Sequence, residues 1–141
     1  MTSAMQDEPH DRQQDQVTLE FSSRVEDNCM VVSSQGRSCC NNCIENLYRP
    51  ILSRMEDSEC TGLVIDKRQI HCAPEEKSLD RVAQTILRYK HRATLRKLAI
   101  VSTLEYEKDD QLLLKTLFEK GVNIRLFTDL AAAISWAQSY P

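Results

Sequence analysis

The fold is decided by Lys97-Leu98-Ala99-Ile100-Val101-Ser102 together with Val122-Asn123-Ile124-Arg125-Leu126-Phe127-Thr128-Asp129, two apolar segments separated by a charged helical stretch. A short apolar helix over residues 130–137 follows at once, with Thr128 as its expected cap. Strands that alternate with helices imply right-handed crossovers and a parallel sheet. Residues 97–141 therefore predict an open α/β fold.

The preceding residues predict the rest of this sheet. Strands are expected over residues 17–21, 29–33, 63–66, 98–101 and 122–127, and helices over about 41–56, 75–91, 107–120 and 130–137. Because the turn at Glu26-Asp27-Asn28 is short, the first two strands should form an antiparallel hairpin. Residues 67–74 have the pattern of a loop, and Pro50 should kink the first helix or delay its start. The prediction is a five-stranded, mostly parallel sheet with an antiparallel edge strand and four helices.

Composition indicates one ordinary globular domain. The chain has 141 residues, of which 41% are hydrophobic and 28% charged. Residues 1–16 carry the whole net charge of −3 and have few aliphatic side chains, so we expect a disordered tail followed by a domain over 17–141. A domain with no net charge does not predict general nucleic-acid binding, which would need a strongly basic face.

Localisation follows from what the sequence lacks. It has no apolar run of membrane-spanning length and no pattern of a signal peptide, which predicts a cytoplasmic protein without membrane insertion. The six cysteines are then expected to be reduced thiols.

Three cysteines lie close together at Cys39, Cys40 and Cys43. The start of a helix lowers the pKa of a thiol, so these are redox candidates. Ordinary thiols without a function are the simpler interpretation. A structural zinc site needs four ligands, and no second paired motif supports one, so neither metal nor cofactor is predicted.

Polar residues follow neighbouring strands of the predicted sheet. Asp66 and Arg68 end a central strand, and Ser34, Ser38 and Ser102 should gather near them. Ligands of open α/β sheets bind at the carboxyl ends of the strands, so this edge is the best candidate pocket. The alternative is that Asp66 and Arg68 pair with each other or cap loops.

A basic run lies between the second helix and the fourth strand. It consists of Arg88, Lys90, His91, Arg92, Arg96 and Lys97. These residues, Arg92 and Arg96 above all, could hold an acidic partner or a phosphate. Alternatively, they complement the dipole at the end of their helix.

Motifs of catalysis are missing from the sequence. Its three glycines, Gly36, Gly62 and Gly121, are too far apart for a phosphate-binding loop, and no Gly-x-Ser-x-Gly elbow occurs. We therefore predict that the protein is not an enzyme.

Three motifs, in this order and spacing, resemble the STAS superfamily (sulfate transporter and anti-sigma factor antagonist), especially its SpoIIAA-like branch. They are the apolar strand ending in Asp66-x-Arg68, the strand Leu98-Ala99-Ile100-Val101, and the ending Arg125-Leu126-Phe127-Thr128-Asp129 with Ala133-Ile134-x-Trp136. The resemblance covers residues 17–138. It implies a regulatory, protein-binding module.

The chain departs from the resembled family after its third strand. Such regulators carry an Asp-Ser-Ser-Gly-like loop with a phosphorylatable serine at the next helix start, whereas Glu75 or Glu76 stands there in this chain, with Ser78 nearby. A carboxylate at this place could mimic a phosphorylated state, or simply stabilise the helix. The phospho-switch serine is thus absent.

These observations lead to one main functional hypothesis and two alternatives. The main hypothesis is a non-enzymatic regulatory module with a protein partner, and the alternatives are a domain that binds a small anion or lipid and a thiol redox-responsive protein. Candidates for ligand or partner binding are Asp66, Arg68, Ser34, Ser38, Ser102, Glu75, Ser78, Arg92 and Arg96.

Overall fold

The computed structural model describes residues 19–37, 41–71, 76–90, 95–103 and 107–139. Its elements, in chain order, are β1 (Glu20–Glu26), β2 (Cys29–Arg37), α1 (Asn41–Ser58), β3 (Gly62–His71), α2 (Glu76–Lys90), β4 (Lys97–Val101), α3 (Glu107–Glu119), β5 (Ile124–Phe127) and α4 (Leu130–Gln138). The predicted tail, residues 1–16, lies outside this range.

The five strands form one sheet in the order β1-β2-β3-β4-β5. β1 runs antiparallel to β2, from Glu20 opposite Gln35 to Glu26 opposite Cys29. The other three pairings are parallel. The predicted mostly parallel sheet with an antiparallel edge strand is confirmed, and four helices occur in the described part of the chain.

Each face of the sheet has its own apolar core, because alternate side chains of a strand point to opposite faces. The larger core joins residues such as Ile65 and Ile100 to α1, α2 and α3. The smaller one packs Val64 and Ala99 against α4. A Cβ atom at Gly62 would lie 2.6 Å from the carbonyl oxygen of Ala137, so glycine is what allows α4 to lie close to β3.

The predicted loop over residues 67–74 is wrong up to residue 71. β3 continues to His71 because β2 also continues, to Arg37, and offers it a partner. The register shifts between Ser33 and Gln35, after which Gln35 pairs with Gln69. Such a bulge is invisible to a pattern of simple alternation. The continued pairing with β2 makes residues 67–71 part of strand β3.

Pro50 lies inside α1, which continues without a break from Asn41 to Ser58. The predicted delayed start is therefore wrong. Pro50 is exposed, and the helix is held on either side of it by buried residues such as Tyr48, Ile51 and Leu52. Tertiary packing thus outweighs the lost backbone hydrogen bond.

Two local predictions about the last third of the chain need correction. Asp129, not Thr128, caps α4, because its Oδ2 accepts a hydrogen bond from the Ala132 N–H at 3.1 Å. The fifth strand begins at Ile124 and not at residue 122. Phe118 is 65% exposed, because it lies off the buried stripe of Leu113 and Leu117.

None of the helices in the described ranges has both the length and the apolar character needed to cross a membrane.

Candidate functional site

The parallel strands β4 and β5 end level with Asp66 of β3, while β3 itself continues to His71. Ser102 and Thr128 follow the ends of β4 and β5, so they lie at the same edge of the sheet as Asp66. We call this region, from Asp66 to Arg68 together with residues 102–103 and 127–129, the carboxyl edge. The structure thus brings the strand-ending polar residues together as the sequence suggested.

Asp66 and Arg68 form a two-pronged ion pair at the carboxyl edge. Arg68 Nε donates to Asp66 Oδ1 at 2.9 Å, and Arg68 Nη2 donates to Asp66 Oδ2 at 2.8 Å. The backbone N–H of Arg68 also donates to Oδ1, at 3.0 Å. The alternative in which these residues pair with each other is therefore what the structure shows.

The ion pair controls the ionisation of Asp66. Burial opposes the charged form, but the hydrogen bonds and the charge of Arg68 outweigh this, so the pKa of Asp66 is lowered. The pKa of Arg68 is raised, mainly by its hydrogen bonds to Asp66 and in a smaller part by the charge of Asp129. The Arg68 side chain is 37% exposed and that of Asp66 is 12% exposed. The guanidinium is thus fixed in place and still faces solvent.

Ser34 supports this pair from the neighbouring strand. Its buried Oγ donates to the carbonyl oxygen of Asp66 at 2.6 Å. The bond lies at the bulge between β2 and β3, where the regular register is interrupted. Ser34 is therefore a structural support of the edge, since its hydroxyl is used within the sheet.

A second, buried polar cluster lies on the opposite face of the same edge. Lys67 Nζ and Asp110 Oδ1 are 2.8 Å apart, with side chains that are only 12% and 2% exposed. Ser102 Oγ donates to the other oxygen of Asp110. Asp110 thus joins β3, α3 and the end of β4. We call Lys67, Ser102 and Asp110 the buried polar cluster.

Two hydroxyl groups near the buried polar cluster have no hydrogen-bond partner among the described residues, Tyr48 Oη and Thr103 Oγ1. Burial raises the pKa of Tyr48, and the charges of Lys67 and Asp110 act on it in opposite directions. Buried polar atoms without partners are uncommon in folded proteins, and each calls for an explanation.

A pocket with a volume of about 320 Å³ opens beside this cluster. It lies between the end of β4, the end of β5 and the start of α4. Among the described residues, its walls are formed by Ser102, Thr103, Asp110, Leu126, Phe127, Thr128, Asp129 and Ala132.

Sequence reasoning did not single out Lys67, Asp110 or Thr103. A signal for Asp110 did exist, because it stands three and seven residues before Leu113 and Leu117 and so shares their buried stripe. Lys67 lies two residues after Ile65 and four after Leu63, on the face of β3 that points to the larger core. It was not recognised because residues 67–74 were predicted to be a loop. Nothing in the sequence marked Thr103.

The described members of the predicted basic run do not form one patch. Lys97 is only 6% exposed, and its Nζ donates to Trp136 O and to Ser139 O at the end of α4. Lys90 Nζ donates to Gly121 O, after α3, at 2.7 Å. Both lysines therefore donate hydrogen bonds to backbone carbonyl groups at the ends of other helices. Arg96 is exposed before β4, at the opposite end of the strand from Ser102, so it does not belong to the carboxyl edge.

Several predicted residues lie outside what the structure describes: Ser38, Cys39, Cys40, Glu75 and Arg92. Cys43 and Ser78 belong to α1 and α2, but their side chains are outside it as well. Of the described cysteines, Cys29 and Cys60 are buried and free, and burial raises the pKa of Cys29 to about 12. The described residues contain no group of histidine, cysteine and carboxylate side chains that could hold a metal ion.

The fold has well-matched counterparts among solved structures. An anti-sigma factor antagonist from Mycobacterium paratuberculosis superposes with a TM-score of 0.59 at 15% sequence identity, covering 86% of this chain and 96% of that one. An uncharacterized DUF3478-family protein with a SpoIIAA-like fold, from Shewanella loihica PV-4, gives a TM-score of 0.55 at 14% identity, covering 84% and 93%.

Comparisons at the level of sequence give no such match. No protein-family model matches the sequence, and no curated protein matches it. At identities of 14–15% the structural likeness establishes the fold and nothing finer. The chain therefore has a SpoIIAA-like fold, as the sequence motifs predicted.

Proposed function

We propose that this chain is a non-enzymatic regulatory module of the cytoplasm that binds a protein partner through its carboxyl edge and the adjacent helix α2. The observation that carries the proposal is the Arg68 guanidinium, which two hydrogen bonds to Asp66 hold at the edge while 37% of the side chain stays exposed. One solved structure with the same fold is an anti-sigma factor antagonist, which supports a regulatory role.

A fixed and partly exposed arginine suits recognition of another protein. Arginine is enriched at protein interfaces and among the residues that contribute most to binding. Because Asp66 already orders the Arg68 side chain, less rotamer entropy is lost when a partner binds. The charge of Asp129 lies near enough to act on Arg68, so the edge presents charges of both signs.

The protonation states at the edge favour recognition over catalysis. A general acid or base works best with a pKa near the operating pH. The pKa of Asp66 is moved the other way, below its ordinary value, so its carboxylate stays charged. Asp110 is engaged by Lys67 and Ser102.

We further propose that partner binding does not depend on phosphorylation at the start of α2. Helix α2 begins at Glu76, and Glu75 or Glu76 stands in the sequence where resembled regulators keep a serine. A carboxylate cannot be switched by phosphorylation, so the module would stay in one state.

The test is capture of binding partners by purified wild-type protein and by Arg68→Glu. Arg24→Glu is the matched control, because Arg24 also bonds a carboxylate two residues away on a strand, Glu26 at 2.6 Å, but lies on β1. We expect Arg68→Glu to weaken binding of a captured partner by at least about tenfold and Arg24→Glu to leave it unchanged. Equal binding by both variants, with native circular dichroism, would contradict the proposal.

A further inference from the structure

We propose that the pocket beside the buried polar cluster binds a small uncharged molecule with an apolar part and a hydrogen-bonding group. This inference goes beyond the proposed function and does not rest on it, because the pocket can be filled whether or not a partner is bound. The volume of about 320 Å³ lies within the range of small-molecule sites in proteins, at its lower end.

Part of the pocket lining is apolar. It is contributed by Leu126 and Phe127 at the end of β5 and by Ala132 in the first turn of α4. Phe127 is held in place by Trp136, with ring centroids 5.7 Å apart. A rigid aromatic side chain next to a small alanine offers a flat surface for an apolar group.

Two carboxylates line the pocket, those of Asp110 and Asp129, and they favour a ligand without charge. Asp110 is already paired with Lys67 and accepts a hydrogen bond from Ser102. Asp129 caps α4 by accepting a hydrogen bond from the Ala132 N–H, and it interacts electrostatically with Arg68. A cationic ligand would therefore have to compete with Lys67 for Asp110 and with the helix cap for Asp129. An anionic ligand would face two carboxylates, which disfavours the small anion suggested by the sequence.

Thr103 indicates that the ligand carries a hydrogen-bonding group. Its Oγ1 is shielded from solvent, has no partner among the described residues and belongs to a residue that lines the pocket. A hydroxyl can donate and accept, and leaving it unpaired when buried costs free energy. A ligand that supplies the missing hydrogen bond recovers that cost, so Thr103 sets the position of the ligand's polar group.

The experiment is an NMR titration of the isolated, ¹⁵N-labelled protein with three probes of the same size, benzyl alcohol, benzylamine and benzoate. We expect benzyl alcohol to bind most tightly of the three and to shift the amide signals of Thr103, Phe127 and Ala132. Tighter binding of benzylamine or benzoate, or no shift of these signals at millimolar probe, would overturn the proposal.

Three variants test the role of the hydroxyl. Thr103→Val should weaken binding of benzyl alcohol by at least about threefold, since one hydrogen bond is lost, whereas Thr103→Ser should retain it. Thr116→Val is the matched control, because Thr116 Oγ1 donates to Leu112 O within α3, away from the pocket. Equal affinities for Thr103→Val and wild type would overturn the proposal. These outcomes are independent of partner binding, which the Arg68→Glu experiment tests.

Discussion

Asp110 connects polar groups of β3, of the end of β4 and of α1 under the carboxyl edge. Its two oxygens contact Lys67 and Ser102, and its charge acts on Tyr48. A buried ion pair of this kind adds little net stability compared with apolar residues, but removal of one partner leaves an uncompensated charge. Asp110 is therefore a residue on which the local structure depends.

Asp110→Ala should lower the free energy of unfolding by about 3–5 kcal/mol, because the counter-charge of Lys67 is lost from a buried site. Glu26→Ala is the control, since it breaks an exposed pair with Arg24 and should cost less than about 1 kcal/mol. Urea denaturation measures both. Equal losses in the two variants would show that the Lys67–Asp110 pair is not effectively buried.

Asp66 should make the stability of the protein depend on pH in the acidic range. Because its pKa is lowered in the folded state, ionised Asp66 contributes stability at neutral pH. This contribution is lost as the pH falls below about 4, the ordinary range of an aspartate, toward the lower folded-state pKa.

Arg68→Met removes the two side-chain hydrogen bonds and the positive charge that lower the pKa of Asp66, and it leaves the backbone N–H bond and the effect of burial, which raises the pKa. The variant should therefore be less stable than wild type at pH 7, and the difference should shrink as the pH falls from the pKa of Asp66 in the variant toward its lower pKa in wild type. Urea denaturation at several pH values gives the difference, and NMR titration of the Asp66 carboxyl carbon gives its pKa. A stability difference that does not vary with pH would contradict this explanation.

Helix α1 shows how packing decides the length of an element. Its buried residues, among them Leu47, Ile51 and Met55, follow the helical period on both sides of Pro50. The periodicity therefore predicts one helix, and the proline predicts an interruption. The period is correct here because the apolar stripe extends past the proline and is covered by the sheet.

Pro50→Ala should stabilise the protein by about 1–3 kcal/mol, because alanine restores a backbone hydrogen bond at an exposed position within the helix. Ser53→Ala, also at an exposed position of α1, should gain no more than about 0.5 kcal/mol. Thermal denaturation measures both variants. No gain in Pro50→Ala would mean that the helix is adapted to the proline.

The sheet was more predictable than its edge. Apolar runs such as residues 63–66 and 98–101 mark strands because both of their faces are buried. Helices α1, α2 and α3 cover one face, and α4 covers the other. The second half of β3 carries Lys67, Arg68 and Gln69, which are typical of a loop. It is a strand because β2 pairs with it across a bulge, a long-range contact that no local pattern shows.

At the level of the whole molecule, the order of elements together with the three motifs predicted the SpoIIAA-like fold. The structure adds that each crossover connects neighbouring strands. The candidate site was predicted in part, because Ser34, Asp66, Arg68 and Ser102 do meet at one edge. Asp110 reaches that edge from α3, which follows β4 in the chain, so its role depends on how the helix packs and not on local sequence.

The central claim is that the carboxyl edge is the surface that binds a partner. Hydrogen–deuterium exchange of the chain with and without a captured partner tests it most directly. The account predicts that protection on binding is concentrated in the second half of β3, including Arg68, and in α2. Protection confined to β1, or to the outer side of α3 around the exposed Phe118, would contradict it.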